Sequence, residues 1–368
     1  MTPGAQGAYE SSGVDYDVLD AAKRRSLAAA ATTLGLPADR GAVVVAASLG
    51  EPATVFEVGG VILAFVLECL GTKSMIARAY EDATGVDRFD AIGRDAVAAI
   101  VNDLCCVGAL PLVVNAYVAT GSAAWYTGTR HTSLVAGWLQ ACQEAGSAWG
   151  GGESPTLTGL IEAEQVDLAG SAVGRVPAGG AAWLGAELAP GDEIVLVEAS
   201  GLHANGASLA RQLASQLPGG WRTQLPNGRP FGEAVLDPGA LYAGLVGRLW
   251  ADGVPVRYAS HITGHGLRKV MRADRELTYR IRRLPEVPDV LAFLVSETGL
   301  DARQAYATFN MGAGFAVFTA PGAGRGAVAA ARAAGHQAVV AGIVEEGPRQ
   351  VVLEPVEVSY LSEDLDVR

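Results

Sequence analysis

Two successive stretches of this chain alternate short apolar runs of strand length with longer helical periodicities. That alternation confines it to an α+β architecture in which sheets are covered by helices. In the first stretch, residues 55–67, 112–120 and 166–176 read as strands, and residues 89–109 and 132–148 as helices. In the second, residues 193–199, 256–262, 315–319, 338–344 and 351–358 read as strands, with helices at 204–217, 239–253, 267–275 and 325–334. Between them runs VPAGGAAWLGAELAPGD, residues 176–192, whose Gly, Ala and Pro mark a boundary. The expected division is an N-terminal arm (1–40) with a helical patch near 18–36 that Pro37 ends, an N-terminal domain (41–176) and a C-terminal domain (177–368). A length of 368 residues suits two cores of ordinary size.

Composition removes several classes of function. Half the residues are hydrophobic and only 18% are charged, which excludes dominant disorder. The longest nearly apolar run, residues 58–67, is far short of the roughly 20 residues that span a bilayer, and it reads as a buried strand covered on both faces. The N-terminus lacks the charged start and apolar run of a secretory signal, so a cytoplasmic protein is expected. A formal charge of -12 disfavours nucleic acid or an anionic membrane as partner. The four cysteines form no CxxC pair and read as thiols. Glycine, at 47 positions, is about twice as frequent as the usual ~7% and clusters between apolar runs, as turns or phosphate loops require.

Six segments carry residues suited to chemistry. LECLGTKS (67–74) sets Glu68, Gly71, Thr72 and Lys73 just after a strand, where backbone can approach phosphate, a lysine can neutralise it and an acid can meet Mg²⁺; a plain turn fits equally well. IGRDAVAAIVNDL (92–104) places Asp95, Asn102 and Asp103 in an apolar helical pattern. Asp95 and Asn102, seven residues apart, share a helix face about 10.5 Å apart and cannot touch one ion together. GGGES (150–154) offers Gly152 and Glu153 in a glycine turn, and SGLHANG (200–206) sets His203 and Asn205 at the expected start of a helix. An imidazole there, with a pKa near ~6.5, suits acid or base work. Residues 261–283, HITGHGLRKVMRADRELTYRIRR, combine two histidines with Arg268, Lys269, Arg272, Arg275, Arg280, Arg282 and Arg283. A phosphate-bearing substrate would explain part of that cluster, while pairing with acids elsewhere suits the outer arginines better. TFNMGAG (308–314) inserts Asn310 and two glycines before a strand.

Taken in order, these blocks resemble the aminoimidazole ribonucleotide synthase family, the phosphoribosylformylglycinamidine cyclo-ligases of purine biosynthesis. The matching blocks are YESSGVD (9–15), GTK (71–73), IGRD with VNDL (92–104), ALPL with YVATG (109–121), GGES (151–154), VDLAG (166–170), SGLHANGASL (200–209), HITGHG (261–266) and TFNMGAG (308–314). The resemblance implies two α/β domains per subunit, a homodimer whose N-terminal sheets pair, and ATP with Mg²⁺ acting on a phosphoribosyl substrate. It implies phosphorylation of a formyl amide oxygen followed by ring closure. Carried over by position, Glu68, Asp95, Asp103 and Glu153 are the metal and triphosphate acids. Lys73, His203 and Asn205 are the catalytic groups, and Gly71, Thr72, Asn102, Gly152, Gly264, Gly266 and Asn310 complete the nucleotide surface. The family's Asp-Gly-Val before Gly-Thr-Lys is replaced by Glu68, Cys69 and Leu70, its third glycine block by Gly264, His265 and Gly266, and its Glu and Arg before TFN by Gln304 and Ala307. Alternatives that remain at this point are a paralogue phosphorylating a different amide or small phosphate substrate, and a dimeric binding protein that has lost turnover.

Overall fold

The computed structural model describes residues 16–365; the YESSGVD block, residues 9–15, lies outside the described residues. Helix α1 (Tyr16–Ala31) stops short of Pro37 because the hydroxyls of Thr32 and Thr33 turn back onto the carbonyls of Ala29 and Ala30, each at 2.7 Å. The first sheet is built from β1 (Ala42–Val44), β2 (Thr54–Val58), β3 (Val61–Cys69), β4 (Leu110–Thr120), β5 (Ala148–Glu153) and β6 (Val166–Arg175), in the order β1-β2-β3-β6-β4-β5. Residues 55–67 are a hairpin rather than one strand. Gly59 and Gly60, at φ 57° and 78°, supply the two left-handed residues of its turn.

Helices α2 (Lys73–Thr84), α3 (Phe89–Cys106) and α4 (Thr129–Ala145) belong to this domain, and α3 lies across one face of the sheet over Ala64, Val66 and Val114. Among the described residues the other face is bare: Phe65 and Leu67 are 44% and 70% exposed, so these residues cover β3 on one side only. The glycine turn expected at residues 150–154 is instead edge strand β5, parallel to β4. It pairs there because a Cβ on Gly152 would fall 1.8 Å from the Ala116 carbonyl oxygen, an approach closed to any other residue.

The second sheet contains β7 (Glu193–Glu198), β8 (Val256–His261), β9 (Leu277–Ile281), β10 (Ala313–Thr319), β11 (Ala338–Glu346), β12 (Gln350–Leu353) and β13 (Val358–Leu361), in the order β13-β12-β9-β11-β7-β10-β8. Around it lie α5 (Ala207–Gln216), α6 (Phe231–Val235), α7 (Ala243–Ala251), α8 (Asp289–Thr298), α9 (Ala302–Thr308) and α10 (Gly324–Ala333). The helix expected at residues 267–275 is a short 3-10 turn, Gly266–Met271, followed by β9. Two left-handed residues, His265 at φ 71° and Gly266 at φ 55°, open that turn against the carbonyl of Tyr306, where an α-helix cannot start.

The two domains are tightly joined. α3 is apolar nearly all round because it packs on the first sheet with one side and on β8 and α7 with another. At its end the Trp250 indole donates to the Gly108 carbonyl at 2.9 Å, and Trp183, from the segment between the domains, stacks on Trp250 at 5.1 Å and 21°. A Cβ on Gly108 would lie 2.7 Å from the Trp183 ring. Residues 176–192 are therefore pinned along part of their length.

Candidate functional site

Helix α3 organises the site by gripping an extended segment of the C-terminal domain. Asp95 Oδ1 accepts the Gly239 N–H at 2.6 Å, and Asn102 donates to the Ala240 carbonyl at 2.8 Å while accepting the Tyr242 N–H at 2.9 Å. The spacing explains the fit: seven helical residues rise about 10.5 Å, a length that the three residue steps of non-helical chain from Gly239 to Tyr242 can span. Asp95 and Asn102 thus share a face, as their sequence spacing requires, but that face holds backbone rather than metal or nucleotide.

Lys73 is the second departure. Its ammonium is fully buried, 2.6 Å from Asp95 Oδ2 and 3.2 Å from the Asp237 carbonyl. Arg229 clamps the Asp237 carboxylate with two bonds of 2.8 Å and so fixes that carbonyl. In this arrangement the lysine and the aspartate are committed to each other in a dry junction, and neither side chain is open to phosphate or Mg²⁺.

His203 lies beside this junction in a left-handed conformation, φ 61°, several residues ahead of α5, which begins at Ala207. Its Nε2 accepts the Ser200 N–H at 3.1 Å, with the Ala240 N–H at 3.5 Å, and the Ser200 hydroxyl bridges to the Pro238 carbonyl at 2.6 Å. Burial, with the neighbouring His261 and Lys73, pushes its pKa down to about 3. The imidazole is neutral at physiological pH and spends its lone pair on backbone. The expectation of an imidazole titrating near neutrality is overturned by its loss of solvent. Asn310 is likewise structural: its amide donates to the Gly201 carbonyl at 2.9 Å and bears the loop that carries His203.

A second cluster forms eight residues further along α3. Asp103 Oδ1 meets His261 Nδ1 at 3.2 Å, and the His261 N–H donates to Cys106 Sγ at 3.1 Å, while burial keeps the Cys106 thiol protonated. Burial and the charge of Asp103 together raise the carboxyl pKa of Glu68, at the end of β3. His261 Nε2 is buried without a hydrogen-bond partner among the described residues. Glu153 is elsewhere. The register places it level with Cys69 and Tyr117, on the sheet face opposite Glu68 and about 14 Å across three strand spacings. Among the described residues, no three His, Cys, Asp or Glu side chains converge in a way that could hold a metal ion. The four acids Glu68, Asp95, Asp103 and Glu153 therefore do not fit one metal centre within a chain.

Gly71 and Thr72 stand on the turn after β3, at least partly open to solvent, and Gly264 and Asn205 are partly exposed on loops of the second domain. Sequence reasoning missed His261, Cys106 and Gly239 as site residues. The histidine was visible in HITGHG, but its pairing with the aspartate of VNDL joins residues 158 apart. Three of these arginines pair with acids as expected: Arg280 bonds Glu345 and Glu354, Arg282 bonds Glu345, and Arg272 faces Glu51, whereas Arg275 donates to the carbonyls of Gly185 and Ala186.

Two α+β domains docked along one shared helix, with glycine-rich turns gathered at the junction, define the AIR synthase-like class of fold. The family model described as AIR synthase related protein, N-terminal domain, matches residues 50–176, and that of the C-terminal domain matches residues 189–354. The chain belongs to this family. It is 39% identical over 292 residues to the phosphoribosylformylglycinamidine cyclo-ligase of Anaeromyxobacter sp. (strain Fw109-5), covering 78% of this chain and 81% of that one. Against the cyclo-ligase of Methanothermobacter thermautotrophicus it is 31% identical over 320 residues, 85% and 88% of the two chains. Among solved structures, a hydrogenase maturation protein HypE in complex with ATP superposes with a TM-score of 0.58 at 19% identity, covering 83% of this chain and 87% of that one. AaThiL complexed with AMPPCP and TMP gives 0.55 at 17%, covering 84% and 89%. These two show the fold.

Proposed function

We propose that the chain is an ATP-dependent cyclo-ligase that closes formylglycinamidine ribonucleotide to aminoimidazole ribonucleotide in purine biosynthesis. The observation that carries this reading is the match of both domains to the family, with 31–39% identity to cyclo-ligases over most of the chain. The formyl amide oxygen is a poor leaving group. Its attack on the γ-phosphorus of ATP expels ADP, the amide nitrogen gives up its proton, and an iminophosphate is left. The amidine-side nitrogen then bonds to that carbon, inorganic phosphate departs with the former amide oxygen, and the nitrogen loses its proton. In this reading Gly71, Thr72 and Gly264 bring backbone close to the triphosphate, Gly266 holds the turn beside them from its buried place, and Asn205 faces the reacting end. Mg²⁺ arrives with the nucleotide rather than on a preformed carboxylate centre. His203, Lys73 and Asp95 keep the junction rigid instead of reacting.

A homodimer and a cytoplasmic setting belong to the same proposal. The bare face of the first sheet, with Phe65, Leu67 and Val113 in adjacent rows, suits a second copy of the chain. Glu153 lies on that face and would reach a nucleotide only if the site is shared across the dimer. Among the described residues, no helix is long and apolar enough to cross a membrane. The deciding assay incubates the protein with ATP and formylglycinamidine ribonucleotide. Aminoimidazole ribonucleotide with equimolar ADP supports the reading, whereas ADP released only with other amides replaces it by the paralogue. Sedimentation as a monomer at micromolar concentration would remove the dimer.

A further inference from the structure

Helix α1 is seated on the C-terminal domain by a polar contact. Among the described side chains from residue 16 to residue 41, Asp20 is the one that is buried, while Val18 and Leu36 stand 62% and 68% exposed. Asp20 Oδ2 lies 3.2 Å from His265 Nε2, and since a carboxylate only accepts, the imidazole N–H donates. His265 holds φ 71°, a conformation that glycine adopts without strain, and it stands in the block where the resembled family has three glycines. What the histidine adds is the side chain that meets Asp20.

The far end of the same turn grips the chain more firmly. Arg272, just after Gly266–Met271, donates to the Gly50 carbonyl at 2.7 Å and faces Glu51 at 3.5 Å, and the Tyr258 hydroxyl donates to Glu51 at 3.0 Å. Between these two anchors β1 pairs with β2 from Ala42 onwards, so residues 16–41 lie on the outer side of that pairing. The outer anchor is the weaker one. Asp20 Oδ1 is buried with no hydrogen-bond partner among the described residues, and a half-satisfied buried carboxylate offsets part of what the contact contributes.

We propose that the Asp20–His265 pair is the latch of a strap: residues 16–41 close over the turn at Thr263–Gly266 and lift from it, while Glu51 and Arg272 keep the root of the strap in place. Closed, the latch buries His265 and sets a carboxylate next to Gly264, which the proposed function brings to the triphosphate. Like charges so placed repel, and the closed strap therefore competes with the nucleotide. That competition rests on the proposed function; the latch does not.

Hydrogen exchange of the full-length protein without nucleotide tests the latch. A released helix of 16 residues is marginal on its own, so Asp20→Ala and His265→Gly are each expected to speed exchange of the α1 amides at least about tenfold, with β2 unchanged. Glycine suits the left-handed position, which keeps the turn of His265→Gly intact. Unchanged α1 exchange in the two variants would overturn the proposal. Calorimetry with Mg·ATP tests the competition: Asp20→Ala is expected to bind at least about threefold more tightly than wild type. Equal or weaker binding by a variant whose α1 exchanges faster would strike the competition, whereas a wild type that binds ATP but forms no aminoimidazole ribonucleotide would strike the proposed reaction and not the latch.

Discussion

Asp95 and Asp103 lie eight residues apart on α3, and their surroundings are opposite. Asp95 is dry, 2.6 Å from the Lys73 ammonium and bonded to the Gly239 amide, and every group near it is spoken for. Asp103 is 15% exposed, its charge raises the carboxyl pKa of Glu68, and it leans on a histidine whose other nitrogen has no partner among the described residues. One acid of the helix is therefore spent on joining the domains, while the next keeps a partly exposed carboxylate beside a histidine. Sequence alone shows two acids on an apolar helix and no difference between them.

The largest effect expected from this contrast is at the closed joint. Lys73→Met strands the Asp95 carboxylate and should lower the unfolding free energy by about 3–5 kcal/mol in urea titrations. Lys73→Met/Asp95→Asn should recover most of that loss, because the amide oxygen still accepts the Gly239 N–H. A Lys73→Met protein as stable as wild type would show that the joint is not dry, and the contrast with Asp103 would collapse.

The pH dependence sharpens the same point at His203. Its pKa is depressed in the fold to about 3 from the ordinary 6.5, so below pH ~6.5 the unfolded chain takes up a proton that the folded chain refuses. The stability it contributes is complete above that pH and is lost as pH falls towards 3. Between pH 7 and pH 5 the loss should be about 2 kcal/mol. His203→Gln, which keeps an acceptor but does not titrate, should flatten this part of the profile. Parallel profiles for the two proteins would place His203 in contact with water and return it to the list of titrating groups.

The smallest effect belongs to Asp103. Asp103→Asn should change unfolding free energy by less than about 1 kcal/mol, since it relieves repulsion with Glu68 while keeping a polar partner for His261. A loss as large as that of Lys73→Met would make the two acids equivalent.

What the sequence disclosed about the fold followed periodicity. The strands at 166–175 and 193–198 and the helix at 89–106 were legible because one side of each is uniformly apolar. β9 was hidden because its arginine and neighbouring bases look like a solvated helix, although Leu277, Tyr279 and Ile281 alternate inward. β5 was hidden because three consecutive glycines signal a turn wherever close backbone packing cannot be seen. In the site, residue types were legible and partners were not. Lys73 and Asp95 carry the charges that a phosphate or Mg²⁺ would want, and only the approach of the segment around Gly239 from 144 residues away shows that they satisfy each other.

The indoles of Trp183 and Trp250, stacked at 5.1 Å against the Gly108 turn, are also a pair of coupled chromophores. One belongs to the segment between the domains, the other to α7, and the carbonyl that holds the pair belongs to the first domain. Their near-ultraviolet circular dichroism depends on that stacking, so the protein carries an intrinsic optical gauge of whether its two halves are docked, readable at any stage of turnover without attaching a label.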